Sequence, residues 1–316
     1  LILFTYWLSP IVIFATYALG VNDIIPAVLL MTSIFCIKNI KPKWSAAFLA
    51  AAISSKLSMI LALPFMAIYL YQNKSIRRYI PGFSYTFLIL VSLLQLPFLL
   101  SSSASLMLFS NPELVKVYEL SVNLGSGISI LVTPLLFIVL VYVTWRIGRI
   151  NFDLFISLIG LSFLMIVLLT PGSPGWFIWT LPFLVIYQAK SGKKAIVLVS
   201  FFSLLYVFST LLNARLIFKD QTYFDLSNFI ELINFNVIPI DSIIHTLMII
   251  AGILLTIRIW RESVSGNDYF RQSRKPLMLG VAGDSGAGKD TFSDAIINLF
   301  GSHSMIKLSV DDYHLW

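Results

Sequence analysis

Two sets of residues in this sequence have types and spacings suited to chemistry. The first is Gly283-Asp-Ser285-Gly286-Ala287-Gly288-Lys289-Asp290-Thr291, which fits Gly-x4-Gly-Lys. Glycines there let backbone N–H groups curl around phosphate oxygens. A following helix adds positive potential at its N-terminus, and the lysine contributes a point charge. The motif needs a strand before it and a helix after it. Leu277–Gly283 is an apolar run of strand length. Phe292, Ala295, Ile296, Leu299 and Phe300 recur at helical spacing. The residue after the lysine is ordinarily Ser or Thr, which reaches Mg2+. Here it is Asp290, with Thr291 next, so both are candidate metal ligands. A second apolar run, Met305–Val310, ends in Asp311-Asp312-Tyr313-His314. A carboxylate at a strand end beside a phosphate loop is placed to accept a substrate hydroxyl proton, which makes Asp311 the candidate base. The plainer alternative is a turn.

The second set is scattered through apolar sequence: Ser9-Pro10, Gly20-Val-Asn-Asp23, Lys56 in Ser54-Ser55-Lys56-Leu57, and Gly175-Trp-Phe-Ile-Trp179-Thr-Leu-Pro182. A lysine at membrane depth costs roughly 2.5–3.5 kcal/mol on insertion scales and is a functional candidate by default. Asp23 is a candidate catalytic or acceptor-orienting carboxylate. Plainer roles stand beside these: Asp23 as a loop carboxylate, Lys56 snorkelling to headgroups, and the tryptophans as an interface anchor.

The elements that must position these residues follow from composition. Hydrophobic residues make up 58% of the chain, charged residues only 12%, and mean hydropathy is +0.88. That is too little charge to cover a water-soluble surface. Residues 1–22, 79–112 and 154–189 carry no charge at all. Since about 20 apolar residues cross a bilayer, the run 154–189 holds two segments around the breaker cluster Pro171–Gly175. Apolar segments are expected near 1–19, 24–37, 45–71, 80–100, 127–145, 151–170, 176–188, 195–213 and 237–257. Segment 45–71 is too long for one simple span and reads as a helical hairpin around Lys56. Residues 214–236 read as a solvated loop, with an amphipathic interfacial helix as the alternative.

With that hairpin, alternate loops hold 16 Lys and Arg on one side and 4 on the other. Basic loops stay cytoplasmic, so the C-terminal motif is expected in the cytoplasm, where ATP is. The net charge of +7 therefore reflects topology, and nucleic acid is not an expected partner. The lone cysteine, Cys36, leaves neither a disulfide nor a cysteine zinc site to be made within the chain. Leu1 at the start and the short run after the phosphate loop both read as truncations.

The expected architecture is mainly α: a polytopic transmembrane helical bundle over 1–260, a cytoplasmic linker over 261–275, and over 276–316 the first βαβ unit of a truncated α/β P-loop kinase domain. Ser9-Pro10, Gly20 to Asp23, Lys56 with Pro64, and Trp179 to Pro182, in that order, resemble the multi-spanning glycosyltransferases of the GT-C class. That resemblance implies an inner-membrane enzyme using a polyprenyl-phosphate sugar donor, with Lys56 at the donor phosphate and the catalytic base upstream of residue 1. The Gly-Lys-Asp-Thr loop and Ser-Val-Asp-Asp-Tyr-His run resemble the uridine kinase and phosphoribulokinase family. This implies ATP and Mg2+ as cofactors, a small-molecule kinase substrate, and a segment too short to be an active kinase alone. Two other readings remain: a transporter with an ATP-binding regulatory tail, and a membrane-anchored uridine kinase-like enzyme.

Overall fold

The computed structural model describes residues 6–101, 112–125, 127–212, 240–267, 278–301 and 305–308. It divides into two compact units, residues 1–271 and 272–316.

The first unit is helical. Helix α1 (Pro10–Val12) passes into a π-helical stretch over Ile13–Ala18. Then come α2 (Ile24–Lys38), α3 (Pro42–Ser55), a 3-10 turn (Leu57–Ala62) and α4 (Leu63–Gln72). A short α5 (Lys74–Arg77) leads to α6 (Ile80–Leu99). After α7 (Pro112–Val115) a small antiparallel hairpin forms from β1 (Ser121–Gly125) and β2 (Ile128–Leu131). The other described helices of this unit are α8 (Val132–Ile147), α9 (Phe152–Leu169), α10 (Trp176–Ser191), α11 (Lys193–Leu212) and α12 (Ile240–Ser265).

Helix α9 is the hub. Phe155, Leu158, Ile159, Phe163 and Leu164 are fully buried around its circumference, as expected of a helix that is apolar all round. It packs against α4, α8, α10 and α12. Its first turn is capped by the Asn151 side chain, which accepts from the Leu154 N–H at 2.9 Å. The Pro171–Gly175 breaker ends it and reverses the chain into α10. Both helices then approach so closely at Gly160 that a Cβ there would lie 2.6 Å from Phe183 Cβ.

Among the described residues four helices, at Ile80–Phe98, Phe152–Leu169, Lys193–Leu211 and Ser242–Ser265, are long and apolar enough to cross a membrane. In α6 only 6% of the apolar window is buried; Tyr85, Leu88, Leu93, Leu96 and Phe98 point outward. Large contiguous apolar surface of this kind calls for lipid or a partner rather than water.

The structure refines the segment boundaries. The stretch expected as one apolar span near 127–145 starts as strand β2, because Ile128, Ser129 and Ile130 pair with Gly125, Asn123 and Val122. Segment 45–71 does break at Lys56, whose φ of −156° and ψ of 118° are extended. Its arms take different neighbours: α3 lies on α2 and α6, whereas the 3-10 turn and α4 lie on α9. The stretch 214–236 lies outside the described residues.

Charged and polar side chains join α9, α10 and α12 at the far end of α10. Lys190 pairs with Asp153. Glu262 accepts from Ser191, from Arg258 Nε at 2.7 Å and from the Tyr187 hydroxyl at 3.3 Å.

In the second unit, α13 (Lys289–Phe300) follows the glycine loop. The runs 278–283 and 305–308, expected as strands, carry no ladder among the described residues. A strand is defined by a paired neighbour, and the described residues hold none for these two short runs. Phe292, Leu299, Ile306 and Leu308 are consequently exposed.

The closeness of α9 and α10 generates the first prediction. Gly160→Leu overpacks that contact and should cost about 1–3 kcal/mol, read as a lowered midpoint of thermal unfolding in detergent; an unchanged midpoint would contradict this packing.

Candidate functional site

The π-helical stretch shapes the first site. Leu19 N–H bonds to Phe14 O at 3.1 Å, and Val21 N–H to Ala15 O at 3.0 Å. Gly20 then turns the chain with φ of +64°, a value that suits a residue without Cβ. Asp23 follows at the mouth of α2. Single π-helical turns often accompany functional positions, and here the turn delivers the carboxylate into the bundle.

Asp23 and Lys56, 33 residues apart, form an ion pair through Asp23 Oδ1 and Lys56 Nζ. Lys56 is available because α3 stops at Ser55: its own extended backbone aims the side chain back toward α2. The Lys56 ammonium also lies 5.0 Å from the centre of the Trp179 ring, a cation–π distance. Trp179 is in turn stacked on Trp176, centroids 5.3 Å apart. Asp23 Oδ2, Ser54 Oγ and Trp179 Nε1 are buried with no hydrogen-bond partner among the described residues. Oδ2 is close to the start of α10: a Cβ at Gly175 would fall 2.2 Å from it. Gly175 is thus required by proximity to the carboxylate.

Beside this pair opens a cavity of about 680 Å3. Asn22, Asp23, Lys56, Ser54, Gln95, Glu113 and Trp176 line it, together with apolar residues and further serines. Glu113 is itself paired with Lys116 at 2.7 Å. The structure therefore brings together three features of the sequence: the Gly20–Asp23 loop, Lys56 and the Trp176–Trp179 segment. It does not bring in Ser9-Pro10. Ser9 is buried and borders a separate hollow of about 200 Å3 with Leu181, Gln188 and Ser203. Gln95 and Glu113 went unnoticed in the sequence. Gln95 had one signal, a carboxamide inside the charge-free run 79–112.

The second site is the glycine loop. Gly286 and Gly288 have φ of +82° and +77°, which glycine adopts freely. Ala287 N–H closes a turn on Asp284 O at 3.2 Å. Ser285 lies in this turn, and Gly288 is the N-cap of α13. Lys289 reaches back across the loop and donates to Gly283 O at 2.7 Å. Asp290 and Thr291 occupy the first turn of α13. Asp290 Oδ1 accepts from Lys307 Nζ at 3.0 Å, and Asp294 Oδ1 accepts from the same ammonium at 2.9 Å. Hydrogen bonds to Asp294 and Asp290 raise the Lys307 pKa above its ordinary value. Lys307 was not foreseen, although it is the one cation of the run 305–310. Asp311 lies outside the described residues.

Mg2+ takes hard oxygen ligands and usually one or two carboxylates beside phosphate oxygens. The Asp290 carboxylate and Thr291 hydroxyl suit it chemically. Lys307 holds one Asp290 oxygen, so a cation at Asp290 would have to share or displace that ammonium.

Among curated proteins, phosphoribulokinase from Synechocystis sp. (strain ATCC 27184 / PCC 6803 / Kazusa) is 46% identical over 43 residues. The match covers 14% of this chain and 13% of that protein. No protein-family model and no solved structure matches the chain. The similarity is thus to a short piece of a kinase, and it spans a small part of either chain.

The ion pair can be tested directly. Lys56→Met leaves a buried carboxylate without its cation and should lower stability by about 1–3 kcal/mol. A double-mutant cycle with Asp23→Asn in detergent should give a coupling of about 0.5–3 kcal/mol; additive effects would mean that the two side chains are energetically independent.

Proposed function

We infer that the chain joins a lipid-embedded sugar transferase to a phosphate-binding, kinase-like segment. The observation that carries the transferase reading is the meeting of Asp23, Lys56 and the Trp176–Trp179 segment at one cavity. A cation beside buried polar groups suits a phosphate whose charge grows as a glycosyl bond breaks. Lys56 would neutralise the phosphate of a polyprenyl-phosphate sugar. Asp23 and the polar lining would orient hydroxyl groups. Trp176, which lines the cavity and is stacked on Trp179, would offer an apolar contact to the C–H face of a sugar ring. The four apolar helices, long enough to cross a bilayer, support a membrane location, with the glycine loop assigned to the cytoplasm on the charge bias of the loops.

For the second unit, the support is the loop geometry together with the 43-residue similarity. We take that similarity to fall on residues around the glycine loop. The loop and Lys289 would hold the β and γ phosphates of ATP, which supplies the phosphoryl group when bound. Lys289 would exchange its bond to Gly283 O for one to phosphate. Asp290 and Thr291 would hold Mg2+, and Asp311 would take the proton from a small-molecule hydroxyl.

Two assays address the two units. With the complete gene product, transfer from a radiolabelled polyprenyl-phosphate sugar should fall at least about tenfold in Lys56→Ala, the scale of one lost charge-assisted hydrogen bond; undiminished turnover would remove the phosphate role. In the same protein, Lys289→Ala should weaken binding of Mg2+ and an ATP analogue by about 10- to 100-fold, measured by equilibrium dialysis. Equal binding by both proteins would sink the nucleotide site.

A further inference from the structure

We propose that Asp23 acts as an internal competitor at the cavity. It occupies the Lys56 ammonium until a phosphate ester bearing nearby hydroxyl groups exchanges for it. This deepens the reading of Lys56 as a phosphate-binding cation and rests on that part of it, not on sugar transfer.

Charge dictates the need for an exchange. Among the described lining residues the cavity has one cation, Lys56, and two carboxylates, Asp23 and Glu113. Glu113 is compensated by Lys116. With Lys56 held by Asp23, no uncompensated positive charge faces the cavity, so an anion gains contact only by taking Lys56 from its partner.

The partner that moves is the lysine. Its side chain is 33% exposed and ends a flexible four-carbon stem, whereas that of Asp23 is 7% exposed. Asp23 is fixed from behind by the start of α10, where even a Cβ at Gly175 would not fit. Once Lys56 swings away, Asp23 remains a buried carboxylate. Its Oδ2 already lacks a partner, and Oδ1 then joins it. The positive end of α10 compensates only part of that charge. The exchange is therefore favourable for a ligand that also donates hydrogen bonds to the carboxylate. Bare phosphate does so poorly. A phosphorylated polyol does so well, whether the phosphate belongs to a free sugar phosphate or to a lipid headgroup.

Trp179 provides the readout, because the ammonium lies 5.0 Å from its ring centre and its departure alters indole emission. The detergent-solubilised full chain is titrated with inorganic phosphate, glucose 1-phosphate and the farnesyl ester of glucose 1-phosphate, with Trp179→Phe as the control that should lose the signal. In the unsubstituted protein glucose 1-phosphate should bind at least about tenfold more tightly than inorganic phosphate. If the farnesyl ester binds more tightly than glucose 1-phosphate, the source is a lipid headgroup; if it binds more weakly, the source is a soluble ester. The decisive variant is Asp23→Asn, which removes the competitor. It should tighten inorganic phosphate about tenfold, and Gly175→Ala, which displaces the carboxylate, should shift affinity in the same direction. Unchanged or weaker binding in Asp23→Asn, or no Trp179-dependent response to any of the three phosphates, overturns the proposal. Successful titrations with no sugar transfer would dismiss the transferase reading and leave this exchange standing.

Discussion

Backbone N–H and C=O groups in an apolar medium must find partners within the protein, each unmet group costing several kcal/mol. Four described helices of the first unit are long and apolar enough to meet that constraint in a membrane. The described residues of this unit are mostly helical, and irregular backbone at membrane depth is tolerated where it lies inside protein or borders a wet cavity. Three departures from regular helix meet at one place: the turn through Gly20 after the π-helical stretch, the extended break at Lys56, and the Pro171–Gly175 reversal. Each contributes a lining residue to the same cavity, namely Asp23, Lys56 and Ser173. The departures are where polar side chains can be delivered without threading them through a helix face crowded with Leu, Ile and Phe.

The hub helix α9 makes this arrangement stable. It carries no charge after Asp153 and is packed on several sides. Polar contacts sit at opposite ends of its neighbour α10: the Asp23 region at Gly175, and the Glu262–Arg258–Ser191 cluster at the other end. About 16 helical residues separate these ends, or roughly 24 Å. The middle of the unit is left to apolar packing, with Gly160 letting α9 and α10 come close.

Much of this was legible in the sequence, for reasons that differ from residue to residue. Asp23 is the only charge before Lys38, and Lys56 the only one between Lys43 and Lys74. Isolated opposite charges in apolar sequence are costly alone and tend to pair, which would have been sufficient to suspect the ion pair before the fold was known. Its partner Trp179 was beyond reach, because a cation–π contact depends on where α10 lands. The glycine loop was legible because its requirement is local: two residues at positive φ, then a helix. The strands beside it were not, because strand formation depends on neighbours rather than on the run itself. Likewise Ile128–Leu131 is as apolar as any helical segment, and only its pairing with Ser121–Gly125 makes it a strand. Lys307 shows the same limit: sequence supplies the charge, but only the fold brings it to Asp290 and Asp294.

The tight approach at Gly175 bears on speed. Because the carboxylate is hemmed in by main chain while the lysine stem is free, opening the ion pair needs rotamer changes in one partly exposed side chain and no displacement of a helix. Such rotations take picoseconds to nanoseconds, against microseconds to milliseconds for helix and domain movements. Entry to this pocket would then be paced by diffusion of the visiting molecule rather than by breathing of the bundle.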